Sequence, residues 1–290
     1  MLKVSIIIPA YNEEKSIEGL IKKLNSLHPD FEILVINDGS KDHTQAVAEK
    51  AGAVVHSHPY NMGNGAAIKT GIRKASGDIL LFMDGDNQHD PSDIAELLKF
   101  MPEYDMVVGA RYGNGQANIF RSMGNRIYNR LATYVAKFKV EDLTSGFRAV
   151  KADVARDFLY MLPNSYSYPT TLTLAVLRSG LSLRYVPIRI KKRTRGKSNV
   201  RLFKDGVRFF MIIVKICTLY SPMRVFLPAS FVMFVMGLLR YLYTFMTQGL
   251  FTNMSALLLI AAINIFLMGL ISEQICQLRY ERSQADDGSK

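Results

Sequence analysis

Residues 79–90 read Ile-Leu-Leu-Phe-Met-Asp-Gly-Asp-Asn-Gln-His-Asp, so five apolar residues are followed at once by a turn rich in side-chain oxygen. The apolar run predicts a strand that is buried on both faces, as in a parallel sheet. Asp84, Asp86 and Gln88 would then emerge together at the carboxyl edge of the sheet, where open α/β sheets bind ligands. Their oxygens suit a hard cation, and Mg²⁺ is usually held by one or two carboxylates together with substrate phosphates. The stretch therefore predicts an α/β fold with a metal and diphosphate site.

Short apolar strands alternate with helical patterns throughout the first 110 residues. It predicts strands at about 3–8, 32–36, 53–57, 79–83 and 105–108, and helices at about 13–27, 42–51, 64–75 and 91–101. This βαβ alternation is typical of a parallel sheet and indicates a nucleotide-binding α/β domain. The alternative is that this acidic turn only caps the next helix, and Asp90-Pro91 does have the pattern of a helix cap. A capping role would not explain Asp84 and Asp86.

Between this region and the C-terminus the pattern is less regular. A helix is predicted at about 118–137, and its arginines among apolar residues would let it lie on a membrane surface. A loop around 144–148, a helix near 165–179 and strands near 183–192 complete a catalytic domain spanning residues 1–198. Residues 199–222 alternate basic and apolar positions, which predicts an interfacial helix.

Two long apolar segments follow, at about 223–246 and 254–275. Each is long enough to cross about 30 Å of hydrocarbon, so residues 223–276 are predicted to form a transmembrane hairpin. Two buried helices of a soluble protein are the alternative, which fits poorly with segments of this length. Residues 277–290 would form a tail.

The net charge of +11 comes from 36 basic and 25 acidic residues. Basic residues concentrate just before the first span and follow the second, whereas the connecting loop has none, which favours a membrane surface over nucleic acid as the partner. Both termini and the catalytic domain are therefore expected on the cytoplasmic side, and a strand that begins at Lys3 leaves no room for a signal peptide. Two cysteines, Cys217 and Cys276, provide neither a disulfide framework nor a cysteine metal site.

Seven motifs together resemble the family 2 glycosyltransferases of the GT-A (Rossmann-like) fold, and within them the polyprenyl-phosphate sugar transferases similar to dolichyl-phosphate mannose synthase and undecaprenyl-phosphate glucosyltransferases. The motifs occur in the family's order over about 200 residues, and the two C-terminal spans resemble its membrane-anchored members. They are Ile8-Pro-Ala-Tyr-Asn-Glu13, Val35-Ile-Asn-Asp-Gly-Ser40, Asn61-Met-Gly-Asn-Gly65, Asp84-Gly-Asp-Asn-Gln88, Gly109-Ala-Arg-Tyr112, Asp142-Leu-Thr-Ser-Gly-Phe-Arg148 and Arg193-Thr-Arg-Gly-Lys-Ser198.

The resemblance implies inverting transfer of a hexose from a UDP- or GDP-sugar to undecaprenyl or dolichyl phosphate, with a homo-oligomer as a further possibility. Mg²⁺ or Mn²⁺, bound by Asp84, Asp86 and Gln88, would stabilise charge on the departing nucleoside diphosphate. The residues that would line the nucleotide pocket are Pro9, Tyr11, Glu13, Asp38 and Asp84. For Asp38, a turn and helix cap is the structural alternative.

A lipid phosphate monoester has a second pKa of about 6, so its oxygen is already anionic at neutral pH and needs no strong general base. The histidines at 28, 43, 56, 58 and 89 are accordingly interpreted as surface residues, although His89 adjoins the metal turn. Cations are needed instead, so that two phosphates can approach each other. The candidates are Arg111 and Arg121, which with Asp86 form the catalytic set, and an acceptor-binding set of Arg126, Ser145, Arg193, Lys197 and Ser198.

The chain departs from the family pattern at Asn37, where an Asp is usual, and at Lys197 and Asn199, where an acid and a Lys are common. These departures leave open the phosphate contacts of the late basic motif. Two other functions remain as alternatives. A transferase that extends a glycan or polysaccharide is expected to carry a Gln-x-x-Arg-Trp motif, and this chain has no Trp. A non-catalytic membrane adaptor on a transferase fold would not be expected to keep Asp84, Asp86, Arg111 and Arg193.

Overall fold

A computed structural model describes residues 2–85, 88–111, 129–130, 132–134, 136–164, 168–188 and 222–287, with side chains described as far as residue 278. The chain divides into two compact units, one within residues 1–199 and the other within residues 200–290. The first contains the sheet, and the second contains two long helices.

The first unit is built on one seven-stranded mixed sheet with the strand order β3-β2-β1-β4-β6-β5-β7. Helices separate its strands in the βαβ pattern that the sequence predicts. The strands are β1 (Val4–Ala10), β2 (Glu32–Asn37), β3 (Val54–Ser57), β4 (Ile79–Phe82), β5 (Met106–Arg111), β6 (Arg148–Lys151) and β7 (Leu183–Ile188). The helices are α1 (Ile17–Leu27), α2 (Thr44–Lys50), α3 (Asn64–Lys74), α4 (Ile94–Leu98), α5 (Ala152–Asp157) and α6 (Tyr168–Arg178). Short 3₁₀ turns at Pro91–Asp93 and Leu159–Met161 precede α4 and follow α5.

The centre of the sheet forms because β1 and β4 are apolar on both faces. Every residue of β4 is buried, and β1 is buried except at Pro9. On one face, Ile17, Leu20, Ile21 and Leu24 of α1 recur at helical spacing and pack into the core cluster that includes Ile6 and Ile8. Burial on both faces confirms the interpretation of residues 79–83 as an interior strand.

Strand β6 was not expected, because residues 144–148 read as a loop and the strand has an arginine at its start. It runs antiparallel between β4 and β5, with Arg148 opposite Phe82 on one side and Val108 on the other. Because β6 is antiparallel to β4 and β5, it begins at the edge of the sheet where those two strands end. The 142–147 segment, which leads into β6, therefore lies at the carboxyl ends of β4 and β5.

The second unit is a hairpin of α7 (Met223–Gln248) and α8 (Asn253–Asp287), and α7 is capped at its C-terminus by Gly249, which has a φ of 64°. Ser230 Oγ donates to the Ala262 carbonyl at 2.8 Å, and Gly237 packs on Leu258. These pairings show that the helices are antiparallel. Met223–Gln248 and Asn253–Leu278 are each long and apolar enough to cross a membrane, and they bury little of their surface in the protein. The predicted helix at 118–137 lies mostly, and the predicted interfacial helix at 199–222 almost entirely, outside the described residues.

Candidate active site

The predicted site residues lie where the parallel strands end. Pro9 is half-buried near the end of β1, and Tyr11, just beyond that strand, is 42% exposed. Asp38 directly follows β2, Asp84 lies two residues beyond β4, and Arg111 is the last residue of β5. One edge of the sheet thus collects the groups that the sequence assigns to a nucleotide, a cation and phosphates.

The segments that follow β1 and β2 are connected to each other by hydrogen bonds. The Asn12 N–H donates to Ser40 Oγ at 3.0 Å, and the Lys41 N–H donates to Asn12 Oδ1 at 2.9 Å. The Glu13 N–H donates to Thr44 Oγ1 at 2.8 Å. Asn12 has a positive φ of 56°, which Asn tolerates better than most residues. These hydrogen bonds connect the loops that contain Tyr11, Glu13 and Asp38, three of the residues predicted to line the nucleotide pocket.

Asp38 is 3% exposed, and its carboxylate holds the loop before α3. It accepts hydrogen bonds at 2.8 Å from the Met62 and Gly63 N–H groups, one on each oxygen. His58 Nδ1 lies 2.8 Å from Asp38 Oδ1, and His58 Nε2 lies 2.9 Å from Thr70 Oγ1. Asp38, which the sequence predicts to line the nucleotide pocket, thus has a structural role in holding this loop.

The interpretation of all five histidines as surface residues was wrong for two of them. The His58 side chain is only 9% exposed because it bridges Asp38 and α3. His89 is 6% exposed and stacks on Phe147 with ring centroids 4.9 Å apart. No periodic signal in the loops that carry them could have revealed either partner.

Asp84 is half-buried against the 142–147 segment. A Cβ added to Gly146 would lie 2.9 Å from Asp84 Oδ2, so only glycine permits this approach without a shift. Gln88, in the same turn, is also half-buried, whereas Asp86 lies outside the described residues. A carboxylate from Asp84 and an amide oxygen from Gln88 are ligand types that suit a hard divalent cation. Within the described residues, no group of three His, Cys, Asp or Glu side chains forms a complete metal site.

Arg111 forms a bidentate pair with Asp142, with Nε to Oδ2 at 2.6 Å and Nη2 to Oδ1 at 2.8 Å. Nη2 also donates to Thr144 Oγ1. Burial opposes the charge on Asp142, but the hydrogen bond and charge of Arg111 outweigh it and lower the pKa of Asp142. Burial likewise opposes the charge on Arg111, yet Asp142, with a smaller contribution from Asp84, raises its pKa. Two of the three guanidinium nitrogens of Arg111 therefore hold the 142–147 segment.

The sequence did not predict a role for Arg148, which lies at the end of the motif that contains Ser145. Its side chain is fully buried, and both Nε and Nη2 donate to the Ser145 carbonyl. The Ser145 hydroxyl is buried and has no hydrogen-bond partner among the described residues. Arg111 on β5 thus holds Thr144, and Arg148 on β6 holds the carbonyl of the next residue, Ser145, the candidate acceptor residue.

Five further predicted site residues lie outside the described residues, so the structure does not place them: Arg121, Arg126, Arg193, Lys197 and Ser198.

Two family descriptions match separate parts of the chain. Residues 5–159 match "Glycosyl transferase family 2", and residues 221–278 match "GtrB C-terminal hairpin". The first range covers strands β1 to β6, and the second covers α7 and α8 as far as residue 278.

Similar proteins cover most of the chain. An uncharacterised protein of Methanocaldococcus jannaschii is 31% identical, over 74% of this chain and 93% of its own. The undecaprenyl-phosphate 4-deoxy-4-formamido-L-arabinose transferase of Proteus mirabilis is 26% identical, over 94% of this chain and 88% of its own. Among solved structures, glucosyl-3-phosphoglycerate synthase from Mycobacterium tuberculosis, in complex with Mn²⁺, UDP and glucosyl-3-phosphoglycerate, has a TM-score of 0.59 at 22% identity. That match covers 74% of this chain and 79% of the synthase and shows a shared fold.

Proposed function

Because the chain belongs to glycosyl transferase family 2 and carries the matching C-terminal hairpin, we propose that it transfers a hexose from a UDP- or GDP-sugar to a polyprenyl phosphate. The bond between the anomeric carbon and the donor diphosphate breaks, and the lipid-phosphate oxygen takes its place with inversion. The nucleoside diphosphate leaves. The transferase of Proteus mirabilis, similar over 94% of this chain, has a name that specifies undecaprenyl phosphate, which supports this class of acceptor.

The observation that carries the proposal is the position of Asp84. Its carboxylate lies at the end of an interior strand and against Gly146 of the segment that Arg111 holds. A donor site at the strand ends would therefore adjoin an acceptor site at the 142–147 segment. Asp84, Asp86 and Gln88 would hold Mg²⁺ or Mn²⁺. When bound, the cation supplies Lewis-acid stabilisation of the leaving diphosphate, and the similar mycobacterial synthase contains Mn²⁺ with UDP on the same fold.

The remaining residues orient the two substrates. Tyr11, Pro9 and Glu13 would line the nucleotide pocket, and Asp38 keeps the loop before α3 in place to complete it. Ser145 offers a buried hydroxyl to the acceptor phosphate. Arg121, Arg126, Arg193, Lys197 and Ser198 would provide further contacts to phosphate. The acceptor oxygen is anionic at neutral pH, so no side chain has to remove a proton from it.

The hairpin gives the reaction its place at a membrane. We assign the catalytic unit and both termini to the cytoplasmic side, because basic residues flank the two apolar helices and are absent from their connection. A water-soluble donor and a lipid acceptor would then meet at the same surface.

A panel of labelled sugar nucleotides tests the proposal. The full chain in lipid nanodiscs is incubated with each UDP- or GDP-hexose, with undecaprenyl phosphate, dolichyl phosphate or no acceptor, and lipid products are identified by mass spectrometry. We expect one donor to give a polyprenyl-phosphate hexose that requires the lipid phosphate. Sugar transfer to a glycan but to neither lipid would overturn the proposal.

A further inference from the structure

Arg148 is a fully buried cation at the start of β6. Within the described residues it forms no ion pair with a carboxylate. Burial lowers the pKa of Arg148, and the opposing effects of Tyr168, Tyr185, Asp142 and Asp84 only partly offset it. A buried arginine without a paired carboxylate is costly unless hydrogen bonds compensate its charge.

The hydrogen bonds of Arg148 connect two segments that meet at the site. Nε and Nη2 donate to the Ser145 carbonyl, the former at 3.2 Å. Nη1 donates to the Pro169 carbonyl at 2.8 Å and to Thr173 Oγ1 at 3.0 Å, both on α6. The planar guanidinium thus fixes the backbone of the 142–147 segment to the first turns of α6. A lysine, with one nitrogen, cannot reproduce this fork.

The backbone that Arg148 holds is directly behind the site. Next to the bound Ser145 carbonyl is Gly146, whose Cα approaches the Asp84 carboxylate closely. The Ser145 hydroxyl is buried among the described residues without a partner. Arg111 holds the side chains of Asp142 and Thr144 but not the Ser145 backbone. Arg148, on β6, instead holds the Ser145 carbonyl.

We propose that Arg148 is a positioning residue, which holds the Ser145–Gly146 backbone against Asp84 so that the acceptor phosphate is presented to the sugar donor. The inference rests on the proposed function, because it assigns the 142–147 segment to the acceptor. Arg148 itself does not touch either substrate. Its loss should impair the transfer step and leave donor binding intact.

The test uses the full chain in nanodiscs with Arg148→Met, which keeps the volume and removes the fork, and Arg148→Lys, which keeps the charge. Val150→Ala, on the same face of β6 and buried, is the control for a weakened strand. For Arg148→Met we expect kcat for lipid transfer to fall on the order of 100-fold, as for a small misplacement of reacting groups. The KM for the sugar nucleotide should stay near wild type. Arg148→Lys should recover part of the loss, and Val150→Ala should remain close to wild type.

Two further readouts make the result decisive. The Kd for the nucleoside diphosphate, measured by calorimetry in the presence of Mn²⁺, should be unchanged in both Arg148 variants. Amide hydrogen exchange at residues 143–147 should speed up in them and not in Val150→Ala. If Arg148→Met does not fold, Arg148→Lys alone decides. Wild-type transfer by the Lys variant, or equal loss of donor binding and transfer, would overturn the proposal.

Failure of the proposed function would look different. A wild-type chain that transfers no sugar to a polyprenyl phosphate would reject the proposed acceptor, and with it this role of Arg148. The exchange and nucleotide-binding measurements would still report whether Arg148 orders the segment. Normal transfer by Arg148→Met, alongside an active wild type, would reject the inference alone.

Discussion

Arg111 and Asp142 are bound to each other by two side-chain hydrogen bonds, at 2.6 and 2.8 Å, although 31 residues separate them in the chain. The pair connects the end of β5 to the segment that passes Asp84. Arg111 was predicted to contact phosphate directly, yet most of its donors serve this segment. We therefore propose that Arg111 contributes to transfer partly through the position of Thr144.

Arg111→Ala should lower transfer on the order of 100-fold, because charge stabilisation and loop position are lost together. Thr144→Val removes one bond to Arg111 and keeps the cation, so its loss should be much smaller. Steady-state rates of lipid transfer measure both. An unchanged rate in Arg111→Ala would remove this residue from the site.

The same pair predicts a pH dependence of stability. Burial opposes the Asp142 charge, but Arg111 lowers the pKa of Asp142 below its ordinary 3.8, so the pair stabilises the fold above that value. The contribution is lost as the pH falls through the lowered pKa. Thermal unfolding of the full chain in detergent should therefore show Asp142→Asn well below wild type at pH 7. The two melting temperatures should converge as the pH drops below 3.8. A constant difference across this range would contradict the assigned pKa shift.

Gly146→Ala should weaken binding of a divalent cation, because the new Cβ would lie 2.9 Å from Asp84 Oδ2 and displace that carboxylate. Gly19→Ala in α1 is the matched control, since a Cβ there meets nothing within 4 Å. Mn²⁺ titration followed by electron paramagnetic resonance measures the affinity of each variant. Equal Mn²⁺ affinity in Gly146→Ala and wild type would argue against Asp84 as a ligand.

His58→Ala should destabilise the sheet unit by about 1–3 kcal/mol, the cost of leaving the largely buried Asp38 carboxylate and Thr70 hydroxyl without this partner. Nucleotide affinity should fall as well, because the loop that contains Met62 and Gly63 loosens. His43→Ala, at an exposed position, is the control. Melting temperature and calorimetric titration with a nucleoside diphosphate give the two values. Identical behaviour of the two alanine variants would show that the Asp38–His58 contact is unimportant.

Much of the fold could be predicted from the sequence because its signals are local. The apolar runs of β1, β2 and β4 and the helical spacing of α1 are visible within a few residues, as are the two long apolar segments. Strand β6 could not be predicted in this way. Its four residues have no alternating pattern, and a fully buried arginine contradicts the usual expectation for a strand interior.

The candidate site could likewise be predicted only in part from the sequence. Positions at strand ends, such as Asp38, Asp84 and Arg111, follow from the topology of a parallel sheet. Their partners do not, because the pairs Arg111–Asp142 and Asp38–His58 join distant segments whose contact depends on the folded chain. Six site residues lie outside the described residues, and their roles remain predictions: Asp86, Arg121, Arg126, Arg193, Lys197 and Ser198.

The most direct measurement is the mass-spectrometric yield of polyprenyl-phosphate hexose from the full chain in nanodiscs, with its preferred sugar nucleotide, before and after metal removal. We expect EDTA to abolish the product and Mn²⁺ or Mg²⁺ to restore it in wild type, while Asp86→Ala stays inactive with the metal present. Undiminished product formation in excess chelator, or full activity of Asp86→Ala, would contradict metal-dependent transfer at this site.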